Sequence, residues 1–404
     1  MSKSLLYHAF GIRGYSVEST HFVGGTVTLW ITQQRKDWRC PGCGSDRVYG
    51  RGSVTRSFRT VPIGAKTVTL VLDVPRVECT RCRRVRQVAV PFAAPRRRHT
   101  KNLERYVLEL LRFGTIEDVA RHLGLSWDTV KDIQARHLHR RYARPKLKHL
   151  KEIAIDELHV GHGPRYLTLV LDLKSGVVVF VGDGKGSAAL KPFWKRLKAS
   201  HARVRAVAMD MAWGYIHAVR DHLPDARIVF DRFHLMKLYN QKLSDLRRDL
   251  HREASDLMHK KVLKGTRWLL LKNPDNLQEK RRERERLAEA LRLNAPLATA
   301  YYMKEDLRQF WEQPDRATAE WFLRHWIARA QCSGIRMLMD FARTLATFRF
   351  GLLTWYSFPI STGPLEGVNN KIQTMKRKAY GFRDPFYFKL RILALHETKY
   401  ELVG

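Results

Sequence analysis

The sequence contains no apolar run of about 18 residues, the length that a membrane-spanning helix needs. Its first residues, Met-Ser-Lys-Ser-Leu-Leu-Tyr-His, have too short an apolar part for a secretory signal peptide. These two absences argue against a membrane partner, and we expect the chain to work in the cytoplasm.

Acidic residues are scarce relative to basic ones. The 404 residues include 74 Lys and Arg but only 39 Asp and Glu, which leaves a net charge of +35. Such an excess makes a polyanion the expected partner and predicts binding that weakens steeply with salt. The hydrophobic content of 44% is enough for buried cores, so the length predicts two or three domains rather than a disordered chain.

Cysteine is also scarce, and four of the five cysteines form two Cys-x-x-Cys pairs, Cys40 with Cys43 and Cys79 with Cys82. In a reducing compartment this pattern is typical of a closed, structural Zn²⁺ site with four thiolate ligands. A redox pair is the alternative, whereas a catalytic zinc is disfavoured because no open ligand position is implied. We expect the fifth cysteine, Cys332, to be buried.

Residues 1–95 alternate short apolar runs with turn residues, as at 27–32 and 68–72. This alternation predicts short strands. Residues 44–78, between the two cysteine pairs, are numerous enough for a β-hairpin. Together with the cysteines, the pattern predicts a small zinc ribbon over residues 1–95.

A basic segment, Arg96-Arg97-Arg98-His99, leads into helical patterning, and residues 116–130 are typical of a helix-turn-helix. Ala120 lies where two helices cross closely, and Gly124 lies at the turn. We assign residues 96–148 to a helix-turn-helix DNA-binding domain, with an ordinary helical hairpin as the alternative. The candidate DNA contacts of its second helix are Ser126, which is also the expected N-cap, and Trp127, Thr129 and Lys131.

Asp128 and Asp132 fit this interpretation less well. A carboxylate on a recognition helix must accept a hydrogen bond from a cytosine amino group or face away from DNA. The two acids thus argue against base readout, but not against DNA contact.

From Lys151 onward the pattern changes to alternating strands and helices. A three-strand meander followed by helix, strand, helix and strand is the order of a ribonuclease H-like α/β fold. We assign residues 149–404 to this catalytic core, with an all-helical insertion at about 235–355. The predicted strands are 153–156, 166–172, 177–181, 204–210 and 226–230, and the predicted helices are 187–200 and about 214–223.

Two features of the insertion have ordinary structural interpretations. Residues 278–286 mix charges of both signs, which favours a solvated helix face over a phosphate contact. We interpret Trp311, Trp321 and Trp326 as core residues rather than as base-stacking platforms.

A basic helix is predicted near the C-terminal end of the chain. Ser361 or Thr362 suits its N-cap, Pro364 suits its first turn, and Gly381 suits its end. Glu366 then lies in the first turn, which is also the ordinary place for an acid on a solvated helix. We expect the helix to bury Leu365, Val368, Ile372 and Met375 and to present Glu366, Asn369, Asn370 and Gln373 on a neighbouring polar face.

Three acids of the catalytic core indicate metal chemistry. Asp156 and Asp210 each end an apolar strand, and the first and fourth strands of a ribonuclease H-like sheet are neighbours. We therefore expect these carboxylates side by side, with Glu366 as the third acid and Glu157 and Asp172 as alternatives to Asp156. Because three carboxylates repel one another, cations are expected between them, and Mg²⁺ (or Mn²⁺) is the natural choice. Two such ions would activate an attacking oxygen and stabilise the leaving oxygen in phosphodiester displacement, which is the chemistry of a transposase, an integrase or a nuclease.

In these motifs the sequence resembles the DDE transposases of bacterial insertion sequences, in particular the ISL-three group. The resemblance covers almost the whole chain and implies that Asp156, Asp210 and Glu366 bind the catalytic metal. In chain order, its motifs are the four cysteines, the helix-turn-helix, Ile-Asp156-Glu, Met-Asp210-Met, Asp231-Arg-Phe-His234, and Glu366-Gly-Val-Asn-Asn-Lys-Ile with Lys376-Arg-Lys-Ala-Tyr-Gly-Phe-Arg383.

The resemblance also implies the partners. The N-terminal modules would bind the terminal inverted repeats of the element, and the protein would act at the nucleoid on double-stranded DNA, as a homodimer or a higher oligomer. Candidate phosphate contacts on the basic helix are Lys371, Lys376, Arg377, Lys378 and Arg383. Candidates for supporting the metal ligands are Asp231, His234 and Asn370, and Asp231 and His234 have a purely structural role as their alternative.

Two other functions stay open at this stage. A zinc-ribbon repressor with a helix-turn-helix would explain residues 1–150 but would leave the three acids without a role. A domesticated, inactive transposase that only binds DNA would keep every motif. Metal-dependent cleavage of DNA that carries the element ends separates both from an active enzyme.

Overall fold

The N-terminal unit, residues 1–141, combines a five-stranded sheet with four α-helices in the computed structural model, which describes residues 4–161, 165–255 and 257–396. Alternation in the sequence is matched by alternation in burial, since Val27, Leu29 and Ile31 of one strand face the core. The elements are α1 (Leu5–Phe10), β1 (Ser16–Val23), β2 (Thr26–Thr32), β3 (Val48–Ile63), β4 (Lys66–Cys79), β5 (Val85–Gln87), α2 (Lys101–Leu110), α3 (Ile116–Leu123) and α4 (Trp127–Tyr142), with a 3-10 turn at Arg35–Asp37.

The sheet brings the two cysteine pairs together. Its order is β1-β2-β4-β3, and β5 also pairs with β4. The long antiparallel hairpin of β3 and β4 occupies the interval between the pairs, as predicted. Val48, the first residue of β3, pairs with Cys79, the last residue of β4. The first cysteine pair precedes β3 and the second lies at the end of β4, so both pairs are at the same end of the hairpin.

The helix-turn-helix has the predicted turn. A capping box between Thr115 and Asp118 begins α3, and Gly124 ends it with a φ of +57°, a conformation that favours glycine. Ser126 caps α4 by accepting a hydrogen bond from the backbone nitrogen of Thr129 at 3.2 Å. The helices pack around a small apolar core of Leu103, Val107, Val119, Ala120, Leu123, Val130 and Ile133.

The second unit, residues 142–404, contains a ribonuclease H-like sheet whose strands are β6 (Glu152–His159), β7 (Tyr166–Asp172), β8 (Val177–Asp183), β9 (Ala206–Met209) and β10 (Arg227–Phe230). Their order in the sheet is β10-β9-β6-β7-β8. The strands β6, β7 and β8 form the antiparallel meander, and β9 and β10 join it in parallel through helical crossovers. The crossover helices are α5 (Ser187–Ser200), between β8 and β9, and α6 (Trp213–His222), between β9 and β10.

Between β10 and the basic helix, the described residues form helices only. They share one hydrophobic core with the sheet, because Phe348 contacts Phe230 of β10 ring to ring at 5.4 Å. Gly351 permits this packing, since a Cβ there would lie 2.4 Å from the Phe230 ring. The helices are α7 (Arg232–Glu253), α8 (Leu257–Gly265), α9 (Arg267–Leu271), α10 (Glu283–Leu293), α11 (Ala295–Arg308), α12 (Arg316–Gln331) and α13 (Arg336–Leu353), followed by α14 (Gly363–Lys378) and α15 (Pro385–Leu393). Short 3-10 turns lie at Pro274–Asn276, Glu279–Arg281, Gln309–Glu312 and Thr354–Tyr356.

Three expectations about the insertion were wrong in part. Cys332, expected to be buried, is exposed because it follows the last residue of α12. Trp311 and Trp326 are core residues as interpreted, but Trp321 is 56% exposed. Within 278–286, Glu283 is buried, and its carboxylate accepts hydrogen bonds from Lys272 and from the backbone of Gln278 rather than facing solvent. Across the described residues, no helix is long and apolar enough to cross a membrane.

Candidate active site

Asp156 and Asp210 lie at the same level of two neighbouring parallel strands. In the register of β6 and β9, Ala154 is the partner of Ala208, and each acid follows its alanine by two residues. Because side chains two residues apart share a face of a sheet, the two carboxylates share one face at one height. The predicted contact between the first and fourth strands is confirmed.

The expected end of the first strand was wrong. Asp156 is internal to β6, which runs on to His159 because its pairing with β7 continues to Tyr166. Asp210, in contrast, directly follows the last residue of β9. The first acid is therefore held by a paired strand, and the second lies at the start of the turn that leads into α6.

Hydrogen bonds orient both carboxylates. Asp156 accepts on Oδ1 from the backbone nitrogen of Glu157 at 2.7 Å and on Oδ2 from Asn369 Nδ2 at 3.0 Å. Asp210 accepts on Oδ1 from the backbone nitrogen of Ala212 at 3.2 Å. Each acid keeps oxygen lone pairs that these bonds do not use, because a carboxylate has about four acceptor positions.

The surroundings of Asp156 and Asp210 disfavour the state in which both carboxylates are ionised with no cation between them. Burial raises the pKa of Asp156, and the negative charge of Asp210 adds to the rise. Burial likewise raises the pKa of Asp210, with a contribution from Glu157. His234 opposes the rise at both acids because its imidazolium form is a nearby positive charge. A cation at this position would act in the same direction.

The helix α14 carries the third acid. Pro364 lies in its first turn as predicted, and Leu365, Val368 and Ile372 are buried. Met375, expected to be buried, is only half-buried because it lies in the last turn. Glu366 is exposed in the first turn, one helical turn before Asn369.

Polar side chains of α14 anchor the helix along β6. Asn369 donates to Asp156, Gln373 Nε2 donates to the backbone oxygen of His159 at 2.8 Å, and Lys376 Nζ donates to that of Val160 at 2.6 Å. These three residues follow one another at helical spacing and so form one face. The amide that reaches Asp156 is therefore Asn369, whereas Asn370, the candidate from the sequence, is exposed. The position of Asn369 one turn after Glu366 was the available signal.

Asp231 joins the two ends of the helical insertion. It caps α7 by accepting on Oδ2 from the backbone nitrogen of His234, and Oδ2 also lies 3.1 Å from Nδ1 of the same histidine. Its Oδ1 accepts from the backbone nitrogen of Thr362, just before α14, at 3.2 Å. Burial alone would raise the pKa of Asp231, but the hydrogen bonds from His234 outweigh it and lower the pKa.

His234 faces the acids from α7. Its hydrogen bond with Asp231 raises its pKa in spite of burial, and the charges of Asp156 and Asp210 act in the same direction. The structure thus places His234 near the two candidate metal ligands, and Asp231 forms a hydrogen bond with its ring.

The two alternatives to Asp156, Glu157 and Asp172, accept hydrogen bonds from other parts of the domain. Glu157 accepts from Tyr215 Oη at 2.7 Å and from the backbone nitrogen of Gly186 at 3.2 Å. Asp172 is buried at the far end of β7, where it accepts from the backbone nitrogens of Lys174 and Ser175 and so shapes the β7–β8 turn. Asp172 is therefore a turn residue, and we do not retain it as a metal ligand.

The four cysteines form a metal-binding geometry. Among the described residues, they are the one group of three or more His, Cys, Asp or Glu side chains whose ligand atoms all lie within 4.8 Å of one another. Cys40 Sγ lies 3.9 Å from Cys82 Sγ, and Cys43 Sγ lies 3.6 Å from Cys79 Sγ. A tetrahedron of Zn–S bonds of about 2.3 Å has sulfur atoms about 3.8 Å apart, so the spacing fits Zn²⁺.

The backbone around the cysteines favours thiolate ligands. Hydrogen bonds from the backbone of Gly42 and then Cys43 lower the pKa of Cys40 to about 6. The pKa of Cys82 is raised to about 12, first by its hydrogen bond with Cys43 and then by burial. The thiol of Cys82 therefore keeps its proton until a metal cation binds and displaces it.

The helix-turn-helix candidates lie at the start of α4. Trp127 is 44% exposed, and Lys131 Nζ lies 5.5 Å from the centre of its ring. The hydroxyl groups of Ser126 and Thr129 are 2.8 Å apart and share a hydrogen bond. Asp132 is paired with Arg97 at 2.9 Å and with Arg136 at 3.1 Å, so its negative charge is balanced by two neighbouring arginines.

The basic candidates on α14 and just after it fall into two groups. Lys376 is half-buried against Val160, and Lys371 Nζ lies 3.1 Å from Nε2 of His396. Arg377, Lys378 and Arg383 are exposed. The second group is the part of this surface that is directly available to a polyanion.

The chain has the architecture of a transposase: a cysteine-rich ribbon and a helix-turn-helix are followed in the sequence by a ribonuclease H-like sheet with paired acids. Three family models match in this order: "zinc-finger of transposase IS204/IS1001/IS1096/IS1165" at residues 36–82, "Helix-turn-helix domain of transposase family ISL3" at 88–138, and "Transposase" of the DDE ISL3 type at 153–392. The chain belongs to the ISL3 family of transposases, and its four clustered cysteines are the structural zinc site of the ribbon.

Curated relatives agree with this family. The transposase for insertion sequence element IS1001 of Bordetella parapertussis is 32% identical over 402 residues, which cover 98% of each chain. The transposase for insertion sequence element IS1557 of Mycobacterium tuberculosis is 29% identical over 372 residues, 86% of this chain and 83% of the relative. Among solved structures, a Drosophila P element transposase strand transfer complex covers 74% of this chain and 92% of its own at 12% identity. Its TM-score of 0.38 is too low to support an argument.

Proposed function

We propose that this transposase binds the terminal inverted repeats of its own insertion sequence and catalyses metal-dependent strand cleavage and strand transfer. One observation supports this most directly. Asp156 and Asp210 share one face of adjacent parallel strands, and Asn369 of the helix that carries Glu366 donates a hydrogen bond to Asp156. The third acid is thus on a helix anchored at the first one.

The donor set fits a hard divalent cation. Asp156 and Asp210 are partly buried carboxylates whose pKa values are raised by burial, although the positive charge of His234 acts in the opposite direction at both. Carboxylate oxygen atoms are the ligands that Mg²⁺ and Mn²⁺ prefer. We propose that Asp156, Asp210 and Glu366 hold two such ions, which would polarise the scissile phosphate and activate the attacking hydroxyl.

The residues of the chain position this chemistry. Asn369 and the backbone nitrogen of Glu157 fix the orientation of Asp156, and the backbone nitrogen of Ala212 fixes that of Asp210. The link from Asp231 to Thr362 sets where α14 begins, and therefore where Glu366 lies. The exposed Arg377, Lys378 and Arg383 are suited to hold the DNA backbone by phosphate contact.

We further propose a function for each domain of the chain. The zinc ribbon (1–95) and the helix-turn-helix domain (96–148) bind the element ends, and the catalytic domain (149–404), with its insertion at about 235–355, cuts and joins strands. The chain would act on double-stranded DNA as a homodimer or higher oligomer at the nucleoid in the cytoplasm. The net charge of +35 supports a polyanionic partner.

Replacing each acid by its amide tests the catalytic proposal. Asp156→Asn, Asp210→Asn and Glu366→Gln should each abolish cleavage of DNA that carries the element ends, while binding of that DNA survives, because the amide keeps the size and loses the charge. Asp225→Asn, an exposed acid before β10, is the matched control and should cleave normally.

Metal rescue separates ligation from misfolding. A thiolate is a poor ligand for Mg²⁺ and a better one for softer Mn²⁺, so Asp210→Cys should be inactive in Mg²⁺ and partly active in Mn²⁺. Normal cleavage by Asp210→Cys in Mg²⁺ would remove Asp210 from the metal site. If the wild-type chain binds element ends but cleaves in neither ion, the alternatives gain support: an inactive, domesticated transposase or a repressor.

A further inference from the structure

Trp213 is a large exposed aromatic residue next to the candidate active site. It is the first residue of α6, three positions after Asp210, and 47% of its surface is exposed. Its neighbours Tyr215 and Ile216 in the same helix are buried in the core. An indole left half in water forgoes apolar burial that the adjacent residues obtain.

Two ring contacts hold the indole of Trp213 in place. Its ring centre lies 5.3 Å from that of Phe348, at an angle of 42° between the ring planes, and 5.6 Å from that of His217, at 35°. Phe348 is buried and contacts Phe230 of β10. Two ring contacts therefore fix the orientation of an aromatic surface that is still exposed, which is the arrangement of a preformed stacking platform.

The exposed face of α6 continues from this platform with nitrogen-bearing side chains. His217 and Arg220 follow Trp213 at the i+4 and i+7 positions and are exposed, so the three form one stripe. The Arg220 guanidinium lies 5.0 Å from the centre of the Phe350 ring, which holds it against α13. An aromatic ring with an arginine one to two turns away suits a nucleotide strand, with its base on the ring and its phosphate at the cation.

Trp213 differs from the other exposed tryptophans in its place. In the described part of the chain, Trp30, Trp127, Trp268 and Trp321 are also at least one-third exposed, but none lies within three positions of a candidate metal ligand. Trp321 on α12 is the useful comparison, because it is 56% exposed and also contacts a histidine four residues on, His325.

We propose that Trp213 stacks on a nucleobase displaced from the duplex beside the scissile phosphate, and thereby positions the strand at Asp210. The proposal rests on the proposed cleavage function and adds a substrate-positioning residue to it. Stacking on an indole requires the base to leave its own stack, so Trp213 would select DNA that is readily unpaired at that position. It would contribute positioning, not chemistry.

Abasic DNA tests the contact. The full-length chain is given duplexes made from the inverted repeats that flank its gene, each lacking one base within a few nucleotides of the cleavage site. On intact DNA, Trp213→Ala should slow cleavage roughly tenfold to a hundredfold, the range expected for one stacked base. At one position, removal of the base should slow the wild-type enzyme similarly, and Trp213→Ala should then cause no further loss.

Three variants control this result. Trp213→Phe keeps an aromatic face and should retain most of the activity. Trp213→Leu keeps apolar packing against Phe348 and should be as slow as Trp213→Ala, which covers the case in which the alanine variant folds poorly. Trp321→Ala should cleave at the wild-type rate and show no dependence on the abasic position. If Trp213→Ala and Trp213→Leu slow every abasic duplex by the same factor, or slow none, Trp213 does not contact a base.

A binding measurement keeps this proposal separate from the proposed function. With Ca²⁺ in place of Mg²⁺, 2-aminopurine is placed at each of the same positions in turn, and at one of them its fluorescence should change when the wild-type chain binds. It should not do so with Trp213→Leu, although that variant binds the same duplex. If the wild-type chain never cleaves but this change occurs, the cleavage proposal fails and the stacking proposal stands. If it cleaves but no position responds, only the stacking proposal fails.

Discussion

Asp231 accepts a hydrogen bond from the backbone nitrogen of Thr362 across 3.2 Å, although 131 positions separate the two residues. Asp231 caps the first helix of the insertion, and Thr362 immediately precedes the helix that carries Glu366. One buried carboxylate therefore links the first helix of the insertion directly to the start of α14.

Removal of this carboxylate should destabilise the protein. Asp231→Ala leaves the backbone nitrogens of His234 and Thr362 without their acceptor, and we expect the free energy of unfolding to fall by about 2–4 kcal/mol. Urea denaturation followed by circular dichroism measures this. The control is Asp245→Asn on the same helix, where the side chain is 45% exposed, with an expected change within about 0.5 kcal/mol. Equal stability of Asp231→Ala and wild type would show that the closure is dispensable.

Zinc should be required for the ribbon and for specific DNA binding. Cys79→Ser or rigorous chelation should remove one zinc per chain and abolish binding to the element ends, because the metal joins the two Cys-x-x-Cys turns that the β3–β4 hairpin brings together. Zinc content by atomic emission and binding by fluorescence anisotropy check this. Cys332→Ser, at the exposed fifth cysteine, should keep both the metal and the binding. Specific binding that persists after complete zinc removal would contradict the prediction.

The exposed and the half-buried basic residues of α14 should differ in how much they contribute to DNA binding. Arg377→Ala and Lys378→Ala should each reduce the slope of log K against log salt concentration by about 0.9, the value for one lost phosphate contact. Lys376→Ala should change the slope less and cost stability instead, because its Nζ donates to the backbone oxygen of Val160. Salt titrations of binding and denaturant melts of the same three variants distinguish these effects. An unchanged slope for both exposed residues would assign them to the solvated surface.

Glu104 should make the helix-turn-helix unit sensitive to acid. Burial alone would raise its pKa, but hydrogen bonds from His99 and Arg136, each at 3.0 Å, outweigh burial and lower the pKa from 4.5 to about 2. The folded pKa is below the unfolded one, so the stabilisation is complete above about pH 4.5 and is lost as pH falls towards 2. Glu104→Gln should cost roughly 2–3 kcal/mol at pH 7 and little at pH 2. Chemical denaturation at several pH values measures this, with Glu117→Gln, an exposed acid of α3, as the control.

The sequence by itself determined the elements and most of their order. Periodic apolar residues and turn signals predicted the strands around Asp156 and Asp210, and Gly124 and Ser126 predicted the helix-turn-helix turn, because these features act through neighbours along the chain. Two Cys-x-x-Cys pairs predicted the zinc site, since four thiolates at knuckle spacing have few other uses. The family could be inferred from the same motifs.

Tertiary structure decided which side chains meet. Asn369 rather than Asn370 reaches Asp156, because the rotation of α14 against β6 is set by the burial of Leu365, Val368 and Ile372. Lys376 became an anchor rather than a free cation for the same reason. The link from Asp231 to Thr362 and the exposure of Trp213 beside Asp210 depend on packing between residues far apart in the chain. Periodicity specifies which face of a helix is buried, but not which atoms it is buried against.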